Sequence, residues 1–367
     1  MSGAAMPLPS FEILAAALRR TTERLASELA EPRESEPDWN EVEWAVARSA
    51  AAMQGISTLL KNKLVWPGPP AWQAFLADQH GHSVLRHERI GALLGEIDTA
   101  LRARGVACVV LKGAALRALD LYRPGERPMG DVDLLVASAD LDAAAAAMAD
   151  VDYVEAGTTY RHRVYEPRRK AARRGFGEHV DNPLKIEIHT AVAELLPVRS
   201  VDITESLSRG AARPGLNNYP DLVSLLLHLL LHAAGNMRSH ALRQVQLHDI
   251  AAVANLLYEN DWKDLLEGRW WLFPPLALTA RYYPKQVPED VLRAARAECP
   301  RVLRIAASRQ LLTDVSWSNL RIHALPGIAW SRTPLDALRY MVSRVLPSRN
   351  SLAEIEAARR DQPHLDR

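Results

Sequence analysis

Two aspartates separated by one residue stand at the start of an apolar segment, and this pattern constrains the fold more than any other in the chain. The segment, residues 130–136, reads GDVDLLV. Its apolar end predicts a buried β-strand, and side chains two residues apart on a strand point to the same face. Asp131 and Asp133 therefore share a face at the exposed start of a strand, where paired carboxylates suit a hard cation such as Mg²⁺.

A second acidic strand follows about fifty residues later. Residues 185–189 read KIEIH, an alternation that predicts a strand with one buried face. An isolated Asp-x-Asp is more often turn chemistry, but a neighbouring acidic strand would place Glu187 beside the aspartate pair. His189 shares a face with Glu187, where it orients a carboxylate, touches an acceptor or serves as a structural histidine.

A strand that enters a glycine turn precedes the acidic segments. Residues 106–111 read VACVVL, which predicts a buried strand, and Lys112 and Gly113 follow at the start of a helix-prone stretch. Backbone N–H groups and the helix dipole receive phosphate at such a junction. The loop after this helix holds Arg123 and Arg127, which are within reach of phosphate oxygens.

The rest of the chain is dominated by helical patterns. Apolar positions recur at helical spacing in residues 11–29 and 42–64, and again beyond about residue 220. We predict an α+β fold with a small mixed β-sheet core and flanking helical regions. The predicted divisions are an N-terminal helical region (1–98), the α/β core (99–200), a C-terminal helical domain (201–347) and a charged tail (348–367).

Composition and charge disfavour several classes of protein. The formal net charge is only +1, so no global field attracts nucleic acid or an anionic membrane. Residues 168–174 hold five basic side chains, but no aromatic residues alternate with them, so we interpret this run as a solvated loop. The two cysteines, Cys108 and Cys299, fit neither a zinc pattern nor a disulfide framework, which favours a reducing cytoplasm.

The most apolar segment is too short to cross a bilayer. It spans residues 222–235 and contains His228 and His232, whereas a membrane span needs about 20 apolar residues. Two histidines four residues apart on a helix are a possible metal pair, but no third ligand accompanies them. We interpret the segment as a buried helix with core histidines in a soluble protein.

These motifs together resemble a known family. The stretches LKGAALRALDLYRPGERPMGDVDLLV and KIEIHT resemble an uncharacterised bacterial nucleotidyltransferase family of the DNA polymerase beta nucleotidyltransferase superfamily. The helical stretches LLLHLLLHAAG and LHDIAAVANLL resemble its C-terminal region more weakly, so the likeness covers about residues 96–268. The chain departs from the wider superfamily at Gly113-Ala114, where that superfamily has Gly-Gly or Gly-Ser.

The resemblance implies a reaction and a set of roles. A nucleoside monophosphate would move from a nucleoside triphosphate to a hydroxyl of a small molecule, peptide or protein, as in the tailoring of peptide natural products or polysaccharides. The metal ligands would be Asp131, Asp133 and Glu187, which hold two Mg²⁺ ions, with Mn²⁺ as the alternative. The nucleotide-binding residues would be Lys112, Gly113, Arg123 and Arg127, and the candidates for the acceptor side are His162, His189 and Asp249.

Two other functions remain open at this stage. One is protein nucleotidylation in a toxin–antitoxin or regulatory system. The other is a non-catalytic nucleotide-binding module, which the intact set of three carboxylates disfavours. We expect no nucleic-acid or membrane partner.

Overall fold

A six-stranded mixed sheet forms the centre of the computed structural model, which describes residues 9–158, 162–169 and 176–346. The strands are β1 (Ala107–Val110), β2 (Asp131–Val136), β3 (Tyr153–Thr158), β4 (His162–Pro167), β5 (Lys185–His189), β6 (Ala193–Leu195), β7 (Ser200–Asp202) and β8 (Gly215–Asn217). The sheet order is β3-β4-β5-β2-β1-β8, and β6 pairs with β7 separately. The β2–β5 and β1–β8 pairs are parallel, and the other pairs are antiparallel.

The strand β2 lies in the middle of the sheet because almost all of it is apolar. Every residue after Asp131 is buried, including Asp133. Short helices connect the strands: α5 (Lys112–Ala118) follows β1, α6 (Leu141–Asp150) follows β2 and α7 (Thr204–Ser208) follows β7. The alternation of short strands and helices over this part of the chain confirms the predicted α+β class.

From residue 9, where the description begins, four α-helices precede the sheet. They are α1 (Phe11–Ala30), α2 (Glu41–Met53), α3 (Ser57–Lys63) and α4 (Pro70–Ala103). The stretch 42–64, predicted from one continuous helical pattern, is divided into α2 and α3 because Gly55 between them has a φ of +68°, in the left-handed region. The sequence predicts that the N-terminal helical region ends at residue 98, but the long helix α4 continues to Ala103. The predicted division of the chain into regions therefore stays a proposal.

A tryptophan cluster forms the core of the N-terminal helices. Trp39, Trp44, Trp66 and Trp72 make ring contacts with centroid separations from 4.8 to 6.4 Å. Most of the contacts are edge-to-face or tilted, as aromatic quadrupoles prefer. The helix α4 begins in this cluster and then packs residues such as Ile97 into the core of the sheet, so it joins the two cores.

Seven α-helices follow the sheet within the described part of the chain, which reaches residue 346. They are α8 (Leu222–Ser239), α9 (Gln244–Ala254), α10 (Glu259–Leu266), α11 (Phe273–Tyr282), α12 (Glu289–Glu298), α13 (Arg301–Arg309) and α14 (Pro334–Val345). The helix α8 is buried along most of its length, which confirms the interpretation of residues 222–235 as a buried helix. In the part of the chain that the structure describes, no helix has the length and apolar character needed to cross a membrane.

The helical regions before and after the sheet contact each other directly. Gln54 donates to the hydroxyl of Ser318 at 2.9 Å and accepts from the backbone N–H of Gln244 at 2.8 Å. Glu23 accepts from the hydroxyl of Tyr282 at 2.6 Å and from that of Thr313 at 2.6 Å. The two helical regions are therefore joined by buried and partly buried side-chain hydrogen bonds. The predicted tail, 348–367, and residues 170–174 of the basic run lie outside the described residues.

Candidate active site

The two acidic strands are neighbours in the sheet. The strands β2 and β5 pair in parallel, with Asp133 opposite Glu187 and Asp131 opposite Lys185. Side chains at paired positions of neighbouring strands share a face, so the three carboxylates project from one face of the sheet. The expected adjacency of the acidic strands is therefore confirmed, although the roles of the three side chains stay predictions.

Lys112 occupies the centre of this site. Its Nζ donates to Oδ1 of Asp133 at 3.0 Å, and Nε2 of His189 lies 3.0 Å from the same oxygen. The backbone N–H of Lys112 donates to the hydroxyl of Tyr219, which lies 2.6 Å from Nδ1 of His228. His228 is thus a buried core histidine, as the sequence predicts. It contacts the turn at Lys112 through the hydroxyl of Tyr219.

The two aspartates have different proton affinities. Burial acts to raise the pKa of Asp133, but the Lys112 ammonium and the hydrogen bond with His189 hold it well below its usual range. For Asp131, crowding by protein atoms and repulsion from the Asp133 carboxylate raise the pKa to about 6, although the residue is accessible at the start of β2. The two carboxylates therefore respond differently to pH although they stand two residues apart on one strand.

Two histidines lie beside Glu187. Nε2 of His162 is 3.5 Å from Oε2 of Glu187, and Nε2 of His189 is 3.6 Å from the same oxygen. Among the described residues, no other set of three or more histidine, cysteine or acidic side chains has its ligand atoms all within 4.8 Å of one another. Burial acts to raise the pKa of Glu187, but the hydrogen bond from His189 holds it below its ordinary value.

A small cationic pocket opens beside the glycine turn. Its volume is about 30 Å³, and its lining includes Gly113, Arg117, Arg123 and Arg127 but no carboxylate. Nη1 of Arg117 is buried and has no hydrogen-bond partner among the described residues. Three of the predicted nucleotide-binding residues thus meet at one pocket, which in this arrangement has room for about one or two water molecules.

Residues of α4 complete this pocket, and the sequence analysis did not identify them. They are Ser83, Arg86, His87 and Ile90. Nη1 of Arg86 donates to the carbonyl of Asn182 at 2.6 Å and Nη2 donates to that of Met129 at 2.9 Å. The local pattern of α4 resembles that of any charged helix, so no sequence signal distinguishes them.

Arg127 and Asp249 form an ion pair with two hydrogen bonds. Nε and Nη2 of Arg127 donate to the two carboxylate oxygens of Asp249 at 2.8 and 2.6 Å, and the Tyr122 hydroxyl donates to Oδ1 at 2.7 Å. Asp249 is buried, so in this arrangement its carboxylate faces Arg127 and Tyr122 instead of an open acceptor cleft. The predicted acceptor role of Asp249 gains no geometric support, whereas Arg127 still borders the pocket.

Arg243 adds a positive charge that the sequence analysis missed. It is the N-cap residue of α9, and its guanidinium lies 5.5 Å from the centre of the Trp317 ring. Burial lowers its pKa, and the charge of Asp131 acts in the opposite direction. Arg243 is more than 50 residues from either acidic strand in sequence, so only the fold reveals that it belongs near them.

A family model described as "Uncharacterised nucleotidyltransferase" matches residues 40–283, about two thirds of the chain. The matched range contains both acidic strands, the lysine turn and the cationic pocket. The chain belongs to this nucleotidyltransferase family. The family's common unit extends from the cap of α2 to the end of α11, so it includes helices on both sides of the sheet. Comparisons with curated proteins and with solved structures gave no match.

Proposed function

We propose that the protein is a metal-dependent nucleotidyltransferase of the DNA polymerase beta superfamily that moves a nucleoside monophosphate from a triphosphate to an acceptor hydroxyl. The observation that carries the proposal is the register of β2 and β5, which aligns Asp133 with Glu187 on the face that also presents Asp131. Family membership supports the reaction class. The proposed acceptor is a small molecule, peptide or protein, in keeping with a tailoring role.

The carboxylate face fits divalent metal ions. Asp131, Asp133 and Glu187 offer hard oxygen donors, and the raised pKa of Asp131 reflects crowding by protein atoms and repulsion from the neighbouring carboxylate. These three residues would hold two Mg²⁺ ions, with Mn²⁺ as the alternative. When bound, such ions neutralise the triphosphate and favour the ionised form of the acceptor hydroxyl.

The chain's own side chains bind and orient the reactants. Lys112, Arg123 and Arg127 would contact phosphate oxygens, and Arg243 adds positive charge near Asp131. The acceptor oxygen forms a bond to the α-phosphorus, while the bond from that phosphorus to the bridging oxygen of the β-phosphate breaks. Pyrophosphate leaves with the bonding electrons. The hydroxyl proton passes to the carboxylate of Glu187 and from there to solvent.

Asp131→Asn tests this proposal. We expect at least about a 10²-fold loss of transfer, with the fold intact because Asp131 lies at the accessible start of its strand. Transfer is measured by mass spectrometry of candidate acceptors after incubation with each of the four triphosphates and Mg²⁺. Asp290→Asn, an exposed aspartate in the first turn of α12, is the matched control and should retain full transfer.

Two results would contradict the proposal. One is an Asp131→Asn protein with the transfer rate of the wild type. The other is calorimetry on the wild-type protein that detects no magnesium-dependent binding of any triphosphate, which would favour a non-catalytic module.

A further inference from the structure

We propose that His162, Glu187 and His189 form a site for a divalent transition-metal ion, and that Zn²⁺ occupies it in preference to Mg²⁺. The inference deepens the proposed function and rests on it for the role of the ion, because Glu187 is also the carboxylate assigned to the acceptor side. The existence of the site can be tested without any transfer reaction.

The strand pairing brings the three side chains together. The strands β4 and β5 are antiparallel neighbours, and His162 lies directly opposite His189. Their rings are 4.9 Å apart between centroids. Glu187 is two residues before His189 on the same strand, so all three side chains share one face.

The donor atoms have the spacing that a small metal ion requires. Two ligands that each lie about 2.1 Å from a tetrahedral ion are about 3.4 Å from each other. Oε2 of Glu187 lies 3.5 Å from Nε2 of His162 and 3.6 Å from Nε2 of His189. Binding therefore needs little movement of the backbone, since the three donors project from hydrogen-bonded strands.

The chemistry of the donors selects the class of metal. Two imidazoles and one carboxylate are a known ligand set of catalytic zinc, which leaves a coordination position open for a substrate oxygen. Mg²⁺ prefers an all-oxygen shell that includes water and phosphate, whereas imidazole favours the later first-row ions. Asp131 and Asp133 on the neighbouring strand β2 offer only oxygen, so the same face provides two environments of different selectivity.

The role that follows is activation of the acceptor. An ion at this site lowers the pKa of a bound hydroxyl. The site lies next to Asp133, since Oδ1 of that residue is 3.0 Å from Nε2 of His189. The side chains that bind the acceptor oxygen would thus adjoin those that bind the nucleotide.

Cobalt absorption spectroscopy tests the site in the full-length protein. Co²⁺ reports its ligands through visible absorption, and we expect a low-symmetry, four- or five-coordinate spectrum that saturates at about one ion per chain. Zn²⁺ should displace it, whereas millimolar Mg²⁺ should not. His162→Ala and His189→Ala should each lose the band, and His80→Gln, a substitution on α4 outside this group, should keep it.

Further variants separate this inference from the proposed function. Asp131→Asn should retain the cobalt band although it loses nucleotide transfer. If His189→Ala does not fold, as judged by circular dichroism, the milder His162→Gln gives the decisive spectrum. The inference is overturned if the wild type shows no band, if the band persists in folded His162 variants, or if Mg²⁺ displaces Co²⁺ at equal concentration.

Discussion

At Lys112, an unfavourable backbone conformation coincides with the central ion pair of the site. The φ of this lysine, +46°, lies in the left-handed region, which costs a non-glycine residue about 1 kcal/mol or more. The ion pair with Asp133 and the hydrogen bond to Tyr219 hold it in that conformation. Burial acts to lower its pKa, but Asp133 and Asp131 raise it above the ordinary value, so the ammonium stays charged.

Gly113 provides a prediction at the residue scale. A Cβ at this position would lie 2.6 Å from Sδ of Met129 and 2.7 Å from Nη1 of Arg127. We expect Gly113→Ala to displace both side chains, lower stability by about 1 kcal/mol and raise the KM for the triphosphate. Gly95→Ala in α4 meets nothing within 4 Å and should stabilise the helix by about 0.5–1 kcal/mol without changing KM.

Denaturant unfolding and steady-state kinetics of the two variants check this expectation. Equal effects of both substitutions on KM would contradict the placement of Gly113 against the cationic pocket.

The sequence predicted residues whose chemistry is evident in a short stretch. Asp131 and Asp133 stand two apart at a strand start, and Glu187 stands alone in a clean alternation, so their common face follows from strand periodicity. Arg117 lies on α5 one helical turn after Gly113, so its place beside the pocket is local, although the sequence analysis did not single it out. Arg243 had no local signal, because it reaches the site through long-range packing that no local period records. His162 was identified only as a candidate for the acceptor side, since its pairing with His189 depends on the antiparallel register of β4 and β5.

At the scale of elements, the Arg127–Asp249 pair joins the loop after α5 to α9. Both side chains are largely buried, with exposed fractions of 14% and 2%. The removal of one partner from a buried pair leaves an uncompensated charge, which costs about 3–5 kcal/mol. The pair therefore fixes the position of the loop that borders the pocket.

We predict that Asp249→Asn lowers the free energy of unfolding by a few kcal/mol, on the order of 3. The matched control is Lys263→Ala, which breaks the exposed pair with Glu259 on α10 and should cost less than about 0.5 kcal/mol. Urea unfolding measures both values. A loss in Asp249→Asn no greater than in the control would mean that the ion pair does not hold the loop.

At the scale of the whole molecule, buried histidines of the helices after the sheet decide how the chain responds to acid. His248 is partly buried on α9, and its Nδ1 lies 3.1 Å from the hydroxyl of Tyr283. Burial lowers the pKa of His248 to about 4, and burial also lowers the pKa values of His228 and His232. The unfolded chain therefore binds more protons than the folded chain below the ordinary histidine pKa of about 6.5.

The direction of the pH dependence follows. The stability contributed by neutral His248 is complete above about pH 6.5 and is lost as the pH falls towards 4. Between pH 7.5 and 5.5 this histidine alone accounts for about 1 kcal/mol. His248→Gln should reduce the fall in unfolding free energy over that interval, whereas the exposed His323→Gln should not. An unchanged fall in His248→Gln would refute the assignment.

The tryptophan cluster affects the spectroscopic properties of the protein. Four of the nine tryptophans of the chain lie in one group in the N-terminal helices, with rings close enough to exchange excitation energy. The other five tryptophans all lie after the sheet, so coupling between the four clustered rings, and not their number, would distinguish the N-terminal helices in the circular dichroism spectrum. Loss of this coupling would report the loosening of the N-terminal helices, whereas the strands of the sheet contain no tryptophan.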